Sequence, residues 1–321
     1  MVDNIYIEKC IKNQKITLQV LERVKPKNII YCNNYREVFN PKNQNFKLQK
    51  IKPSLILAKK ESNLLTLIPE SFGIGGQKNF YFSHMLNCIY DCRYCFLQGM
   101  FNSANYVVFV NYNDFKKEIH KKIELYKSKT IHFFSGYDCD SLALEPMTNF
   151  FSIFMKNLNL PQNVLIELRT KSTQINFLLE RKVIQNFLIA FSLNPEYLIK
   201  LVEHKTPSLK KRIHSIKCLA NKGWKVGLRF DPIIKVENYK SIYKDFFKFV
   251  FDGLQEIKIH SATIGSLRMP DTFLKKIKKL YPNELSSNYR SLDKEKNEEV
   301  ITFCKHEISK YMDKQKIYLN T

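Results

Sequence analysis

The sequence predicts an α/β protein whose main domain is a full or partial barrel of parallel strands with helices outside. Apolar strand-like runs and amphipathic stretches alternate from about Tyr81 onward, giving about six or seven βα units. Hydrophobic residues make up 44% of the 321 residues, enough for a large core. We therefore expect an N-terminal α/β elaboration over residues 1–75, a barrel core over 76–265 and a C-terminal extension over 266–321.

The N-terminal region has the pattern of a small α/β unit. Short apolar runs predict strands at residues 5–7, 28–31 and 55–58, and residues 16–24 carry the spacing of an amphipathic helix. The bend at residues 72–76 holds three of the nine glycines of the chain. This concentration predicts a functional or junctional loop.

The barrel region consists of apolar runs that alternate with amphipathic or charged stretches. The predicted strands cover residues 79–83, 107–110, 130–134, 164–168, 187–191, 225–230 and 257–259. The predicted helices cover residues 112–127, 150–158, 175–180, 209–222 and 242–251. In the extension, a helix is predicted over 293–312 and a short segment over 316–319, both packing on the barrel edge. In such barrels the catalytic groups lie on loops at the carboxyl ends of the strands.

The most informative feature is a group of three cysteines on one short loop. Cys88, Cys92 and Cys95 have C-x3-C-x2-C spacing, while the other five cysteines of the chain are scattered. Clusters of the [4Fe–4S] type usually take four cysteine ligands. A loop with three cysteines leaves one iron without a protein ligand. This open coordination position predicts that the iron takes part in catalysis.

A structural zinc site is the main alternative for these cysteines. Zinc prefers four closed ligands, and His84 or Cys139 would have to supply the fourth. Disulfides are not expected, because the chain is long and its first residues lack the pattern of a secretory signal. We therefore predict a cytoplasmic protein.

The charge of the chain favours a polyanionic partner. The formal net charge is +22, which predicts contact with nucleic acid. The alternative is a codon bias, because the abundant Lys, Ile, Asn, Phe and Tyr residues all have AT-rich codons. The longest apolar runs are too short for a membrane span, so no membrane partner is expected.

The cysteine loop, with Phe96 directly after its third cysteine, resembles the signature of radical S-adenosylmethionine (SAM) enzymes. The resemblance implies a [4Fe–4S] cluster whose open iron chelates the amino and carboxylate groups of SAM. It also implies reductive cleavage of SAM to methionine and a 5′-deoxyadenosyl radical.

A polar loop, residues 135–140, follows the strand predicted at 130–134. The resemblance implies that Ser135 and Gly136 bind the SAM amino group through the backbone. The alternative is a plain βα turn in which Asp140 or Ser141 caps the next helix.

Three further strand ends carry polar side chains. With period two, Glu167, Arg169 and Lys171 share one face of a central strand, so their charges must be paired or bound to a ligand. As SAM ligands, Glu167 would accept bonds from the ribose hydroxyls, while Arg169 and Lys171 would bind the carboxylate. Ser192 and Asn194 would hydrogen-bond near the adenosyl group. Arg229 and Asp231, at the end of the next strand, form a candidate buried ion pair.

Taken together, these stretches resemble the spore photoproduct lyase family of radical SAM DNA-repair enzymes, particularly its lyase-like branch. The matching stretches lie at residues 35–40, 45–49, 55–60, 88–98, 140–145, 167–172 and 265–268. The resemblance implies a partial (α/β)6 barrel of the TIM and radical SAM type, with a helical or hairpin C-terminal extension. It also implies a damaged duplex DNA substrate, read partly by a basic C-terminal hairpin. Arg268 and basic strand ends would grip phosphates.

The sequence departs from this family at the residues expected to return a hydrogen atom to the substrate radical. The family's best-known enzymes carry a cysteine where this chain has Tyr137, and Cys139 lies two residues later. Phe96 stands where they carry a relay tyrosine, although Tyr94 is present. Tyr137, Cys139 and Tyr94 are therefore candidate catalytic residues, and the plain alternative for Cys139 is a small buried side chain.

The sequence thus predicts a radical SAM lyase that repairs a DNA photoproduct and receives electrons from a carrier such as flavodoxin or ferredoxin. Two alternatives stay open at this point. The first is a radical SAM enzyme acting on RNA, protein or a small molecule. The second is a non-catalytic metal-containing nucleic-acid-binding protein.

Overall fold

The structure is a computed structural model that describes residues 2–69, 72–282 and 294–320. Its strands are β1 Asn4–Glu8, β2 Asn28–Cys32, β3 Leu55–Ala58, β4 Thr66–Leu67, β5 Lys78–Phe82, β6 Met85–Leu86, β7 Asp91–Cys92, β8 Tyr106–Phe109, β9 Ile131–Ser135, β10 Val164–Thr170, β11 Phe187–Ser192, β12 Glu203–His204, β13 Lys225–Ile233, β14 Ile259–Ser266 and β15 Ile317–Asn320. Its helices are α1 Lys15–Val24, α2 Arg36–Phe39, α3 Phe46–Ile51, α4 Leu97–Met100, α5 Tyr112–Leu125, α6 Glu145–Thr148, α7 Phe150–Phe154, α8 Asn176–Leu179, α9 Glu196–Val202, α10 Leu209–Lys222, α11 Tyr239–Asp252, α12 Asp271–Leu280 and α13 Lys294–Ile308.

The main sheet has the order β15-β14-β13-β11-β10-β9-β5-β4. Every neighbouring pair in it is parallel except the β4–β5 pair. The carboxyl ends of seven parallel strands therefore lie along one edge. Six of these strands, β5 to β14, form the predicted partial (α/β)6 barrel, and β15 adds a seventh strand at its edge. The predicted fold class is confirmed.

A second sheet, of order β2-β1-β3-β8-β6, forms the N-terminal unit. Its strand β8 follows the cysteine loop in sequence, yet it pairs in parallel with β3, in the register Leu55↔Tyr106. The apolar run at 107–110 was predicted among the barrel strands. Because β8 is buried on both faces, as the barrel strands β10 and β11 largely are, such an apolar run fits either sheet, and only the tertiary structure assigns it.

Most predicted elements occur within one or two residues of their expected bounds. The last barrel strand differs most, since it runs from Ile259 to Ser266 rather than over 257–259. Differences of three or four residues occur where β13 ends at Ile233, α7 ends at Phe154, α11 begins at Tyr239 and α13 ends at Ile308. Helices α9 and α12 and several shorter elements were not predicted. Asp293, where the C-terminal helix was predicted to begin, lies outside the described residues. The predicted hairpin is not found among residues 266–282 and 294–320, which contain α12, α13 and β15.

The helices of the barrel pack apolar side chains against the sheet. One large buried cluster extends from Phe39 through the barrel strands to Ile317, and a second cluster lies beneath the N-terminal sheet. In the part of the chain that the structure describes, no helix is long and apolar enough to cross a membrane.

Helix α12 crosses α4, the short helix that directly follows the cysteine loop. At the crossing, a Cβ on Gly99 would lie 2.6 Å from the carbonyl oxygen of Phe273. No heavy-atom contact of this kind is tolerated, so the two backbones approach this closely only because residue 99 is a glycine.

We expect Gly99→Ala to push α12 away from α4 and to lower the free energy of unfolding by about 1–3 kcal/mol, the usual effect of overpacking. Thermal unfolding followed by circular dichroism measures this change. Met100→Ala, at a neighbouring side chain that is 40% exposed, is the matched control and should change stability by less than about 0.5 kcal/mol. Equal stability of the two variants would contradict the tight crossing.

Candidate active site

A cavity of about 1440 Å³ opens at the carboxyl ends of the barrel strands. The predicted site residues that line it are Cys88, Cys92, Tyr94, Cys95, Ser135, Gly136, Tyr137, Cys139, Arg169, Lys171 and Ser192. Glu167 and Asn194 do not line the cavity, because their side chains are bonded to the buried residues Arg229 and Glu203. The parallel arrangement of the strands brings these residues together, as the sequence predicted.

The cysteine loop is fixed at both ends. Its strand β7 pairs with β12, so that Cys92 lies opposite Glu203, and the Arg93 amide donates to the Val202 carbonyl at 2.9 Å. On the other side, the Gln98 side chain donates to Asp91 at 2.8 Å. The loop is therefore held by backbone and side-chain bonds that leave its sulfur atoms toward the cavity.

The three thiols are free, and Cys92 is buried. Burial raises the pKa of Cys88 to about 12, and the pKa of Cys92 lies well above its usual range for the same reason. Thiols with raised pKa values stay protonated near neutral pH, and binding of a metal ion such as iron to the sulfur releases the proton.

The spacing of potential ligands disfavours the zinc alternative. Four sulfur ligands of one zinc ion lie about 3.8 Å apart, given Zn–S bonds of about 2.3 Å in a tetrahedron. Among the described residues, no group of three His, Cys, Asp or Glu side chains is arranged to hold a single ion. A [4Fe–4S] cluster places each thiolate on a different iron, so it accepts a wider spacing. The residues present fit the cluster better than they fit zinc.

His84 and Cys139, the candidate fourth zinc ligands, have other surroundings. The His84 ring stacks on Phe150 with centroids 4.1 Å apart and does not line the cavity. Burial lowers the pKa of His84 to about 3. Cys139 is 5% exposed and packs in the N-terminal core cluster with Met85, although it also borders the cavity.

A fully buried ion pair lies behind Cys92. Arg212 donates to Glu203 at 2.5 Å, and both side chains are 0% exposed. The other carboxylate oxygen of Glu203 accepts from the Tyr94 hydroxyl and from Asn194, the latter at 2.8 Å. Tyr94 and Asn194, predicted as catalytic and cofactor-binding residues, are thus engaged with Glu203.

Lys171 completes this group at the cavity wall. Burial by itself lowers the pKa of Lys171, but the neighbouring Cys92 and Glu203 outweigh it and raise that pKa above its usual value. The ammonium lies 5.7 Å from the ring centre of Tyr94. Lys171 is therefore a partly buried cation that faces the cavity beside two of the three cysteines.

The loop after β9 is tied to the end of β10 by Asp140. Its carboxylate accepts from the Thr170 hydroxyl and the Lys171 amide, both at 2.6 Å, and from the amides of Leu142 and Ala143, both at 3.0 Å. Asp140 therefore caps the turn over residues 141–144 and positions Lys171, but it is not the predicted helix N-cap, because α6 begins only at Glu145 and has no side-chain cap.

Gly136 precedes this turn with φ of +93°, and a Cβ there would meet the Arg169 carbonyl at 2.8 Å. Ser135 accepts from the Ser141 hydroxyl at 3.0 Å. The glycine therefore lets the loop lie directly against β10, and its backbone borders the cavity.

The structure contradicts the role predicted for Glu167. It was expected to bind ribose hydroxyls, but it is 1% exposed and accepts two bonds from Arg229, at 3.0 and 2.7 Å, and one from Arg169 at 3.2 Å. Although burial raises its pKa, the charges of Arg229 and Arg169 lower it to about 2. The Arg229 partner is therefore Glu167, not Asp231 as predicted.

Asp231 instead lies 3.8 Å from Arg169 and 3.4 Å from Arg268 at the cavity wall. The Arg268 guanidinium also packs over the Phe72 ring, 5.0 Å from its centre. Asp231 thus partly neutralises the charge of Arg268, which was predicted to bind phosphates.

Aromatic rings line the mouth of the cavity. Tyr137 is 53% exposed and lies between Tyr81 and Phe96, with ring centres 4.7 and 5.4 Å away. Phe96 therefore packs against Tyr137, on the aromatic wall beside the cysteine loop.

The family model for spore photoproduct lyase matches residues 80–319. The chain belongs to the spore photoproduct lyase family. The matched region contains the cysteine loop, the barrel and the described part of the extension.

Curated spore photoproduct lyases are identical to this chain at about a quarter of the aligned residues. The spore photoproduct lyase of Clostridium acetobutylicum is 27% identical over 206 residues, which cover 64% of this chain and 61% of the relative. That of Bacillus subtilis is 25% identical over 212 residues, covering 65% and 61%. The aligned region thus spans about three fifths of these relatives.

Solved structures agree on the fold. A spore photoproduct lyase variant with bound AdoMet and dinucleoside spore photoproduct has a TM-score of 0.84 at 16% identity, covering 100% of this chain and 98% of that one. A spore photoproduct lyase complexed with dinucleoside spore photoproduct has a TM-score of 0.82 at 18% identity, with the same coverage.

Sequence reasoning missed several residues of the site. Arg212 follows two lysines on an amphipathic helix and reads as solvent-facing, yet it is fully buried. Glu203 stands on a strand of two residues that no periodicity reveals. Each is identified only by the other as its ion-pair partner, and the turn that brings the two together follows no helical or strand period.

Glu167 supplies a test of this electrostatic arrangement. Its folded pKa of about 2 is below the ordinary value of 4.5, so its stabilising effect is present above pH 4.5 and is lost as the pH falls toward 2. We expect Glu167→Gln to destabilise the protein by about 3–5 kcal/mol at pH 7, because Arg229 is left buried without its countercharge.

Urea unfolding at several pH values measures this effect, and the difference from the wild type should shrink below pH 4.5. Glu118→Gln, which removes a surface partner of Lys121, should cost less than about 1 kcal/mol. A pH-independent difference for Glu167→Gln would contradict the assigned ion pair.

Proposed function

We propose that this chain is a radical SAM lyase that acts on a photoproduct in damaged duplex DNA. The observation that carries the proposal is the cysteine loop with three free thiols at a cavity of about 1440 Å³, in a chain of the spore photoproduct lyase family. Cys88, Cys92 and Cys95 would hold a [4Fe–4S] cluster. When bound and reduced, this cluster supplies the electron that cleaves SAM to methionine and a 5′-deoxyadenosyl radical.

Several residues of this chain would hold SAM. Lys171 offers a partly buried ammonium for the carboxylate, and Ser135 and Gly136 border the same space. Ser192 lines the cavity beyond Lys171. Arg169 contributes positive charge at the wall but shares it with Glu167 and Asp231.

The cavity and the charge of the chain support a DNA substrate. The volume exceeds what one drug-sized ligand needs, so a second molecule fits beside SAM. The aromatic wall formed by Tyr81, Phe96 and Tyr137 suits stacking against an extruded base. The net charge of +22 favours the phosphate backbone. No described contact favours RNA, protein or a small molecule instead.

Of the three candidate hydrogen donors, Tyr137 is the most accessible to a substrate in the cavity. Its phenol is half-exposed at the cavity mouth, whereas Cys139 is buried against the N-terminal cluster and Tyr94 is bonded to Glu203. In the proposed reaction the Tyr137 hydroxyl thus transfers a hydrogen atom to the substrate radical, and one electron from the reductant with one proton would return the resulting tyrosyl radical to the phenol.

The decisive experiment is 5′-deoxyadenosine formation from SAM by the reconstituted, dithionite-reduced protein under anaerobic conditions. We expect formation by the wild type and loss of more than a hundredfold in Cys92→Ala, because one iron ligand is missing. Cys218→Ala, a cysteine on the outer helix α10, is the control and should keep full activity. Absence of the product from a wild type with an intact cluster would sink the proposal.

The donor assignment is tested with a dinucleoside spore photoproduct. Tyr137→Phe should still cleave SAM but release repaired product at least tenfold more slowly, because the phenolic hydrogen is gone. Cys139→Ala should retain most of the repair rate. Chromatography of both products from one reaction measures the split, and the reverse pattern would assign the transfer to Cys139.

A further inference from the structure

An exposed apolar surface lies on the outer side of the cysteine loop. Its exposed apolar side chains come from two neighbouring segments: Leu48 and Ile51 of α3 are 58% and 74% exposed, and Leu201 of α9 is 49% exposed. The two segments touch, because Lys205, just after α9, donates its ammonium to the Lys50 carbonyl at 3.1 Å. We call these residues, with the lysines around them, the α3–α9 patch. Grouped exposed apolar side chains of this kind mark interaction sites.

The patch carries only positive charge toward solvent. Lys47, Lys52, Lys200 and Lys205 are exposed around the apolar side chains. The acidic residues of segments 46–52 and 196–205 are Glu196, whose carboxylate accepts from the Leu209 amide, and the buried Glu203. A partner for this patch would therefore have an acidic surface around an apolar centre.

The patch is connected directly to the cysteine loop. The carbonyl of Val202, at the end of α9, accepts from the Arg93 amide, and Glu203 is the ladder partner of Cys92. From the α3 side, the largely buried Lys50 reaches the cavity and places its ammonium 3.7 Å from Asp91. A molecule docked here is thus separated from the cysteine sulfur atoms by one layer of chain.

We propose that the α3–α9 patch docks a small acidic protein that carries single electrons at low potential. The inference rests on the proposed function, since a cluster on Cys88, Cys92 and Cys95 must be reduced before SAM is cleaved. One electron leaves the reduced carrier and enters the oxidised cluster, and no proton or group is transferred. Such electron-transfer contacts are small and transient, typically below about 1,200 Å², which suits a patch of this kind.

The test uses flavodoxin hydroquinone as the carrier and dithionite as a small reductant that needs no docking surface. The double variant Ile51→Glu and Leu201→Glu changes the net charge by two and places repulsive carboxylates in the patch. The matched control, Lys117→Gln and Lys121→Gln on the outer helix α5, changes the net charge by the same amount. Cluster reduction is followed by stopped-flow absorbance without SAM, at several salt concentrations.

We expect flavodoxin to reduce the patch variant at least tenfold more slowly than the wild type, with a weaker salt dependence. The control should stay within twofold, and all three proteins should react equally with dithionite. An unchanged flavodoxin rate, an equal loss in the control, or an equal loss with dithionite would each overturn the docking proposal. Failure of the proposed function is distinct, because the wild type would then form no 5′-deoxyadenosine even after dithionite reduction.

Discussion

The buried charge behind the cysteine loop is the constraint on which the site depends. Glu203 and Arg212 are both fully buried, and each would destabilise the fold strongly without the other. Because the Glu203 backbone pairs with Cys92 and its carboxylate binds Tyr94 and Asn194, one residue fixes the loop from two directions. The same carboxylate keeps the Lys171 ammonium charged at the cavity wall. The positions of the cysteines therefore depend on compensating one buried charge, that of the Glu203 carboxylate, in a low-dielectric interior.

A second buried ion pair plays a comparable part within the barrel. Glu167 on β10 accepts from Arg229 on β13, across the one intervening strand β11, and Arg169 joins it from the cavity side. Among the described residues, Arg169 shares its charge between Glu167 and Asp231, whereas no carboxylate lies within ion-pair distance of Lys171. The charged face predicted on this strand is real, but Glu167 and Arg169 are paired within the protein, and Lys171 is the member left for the proposed ligand.

The aromatic wall and the α3–α9 patch lie on different sides of the cysteine loop. Tyr81, Phe96 and Tyr137 line the cavity, while Leu48, Ile51 and Leu201 are exposed to solvent and do not line it. In the proposed function, this separation would let a carrier protein and a nucleic acid bind at the same time. It would also keep Tyr137, the proposed hydrogen donor, on the substrate side.

The sequence by itself determined the alternation of strands and helices, the barrel class and the cysteine loop, because these depend on local periodicity and short spacing. It also placed most site residues at strand ends, since parallel strands share one edge. The tertiary structure decided the rest. It assigned β8 to the N-terminal sheet, gave Glu167 to Arg229, and buried Glu203 with Arg212. Each of these outcomes depends on which distant residue supplies a partner, and neither propensity nor period carries that information.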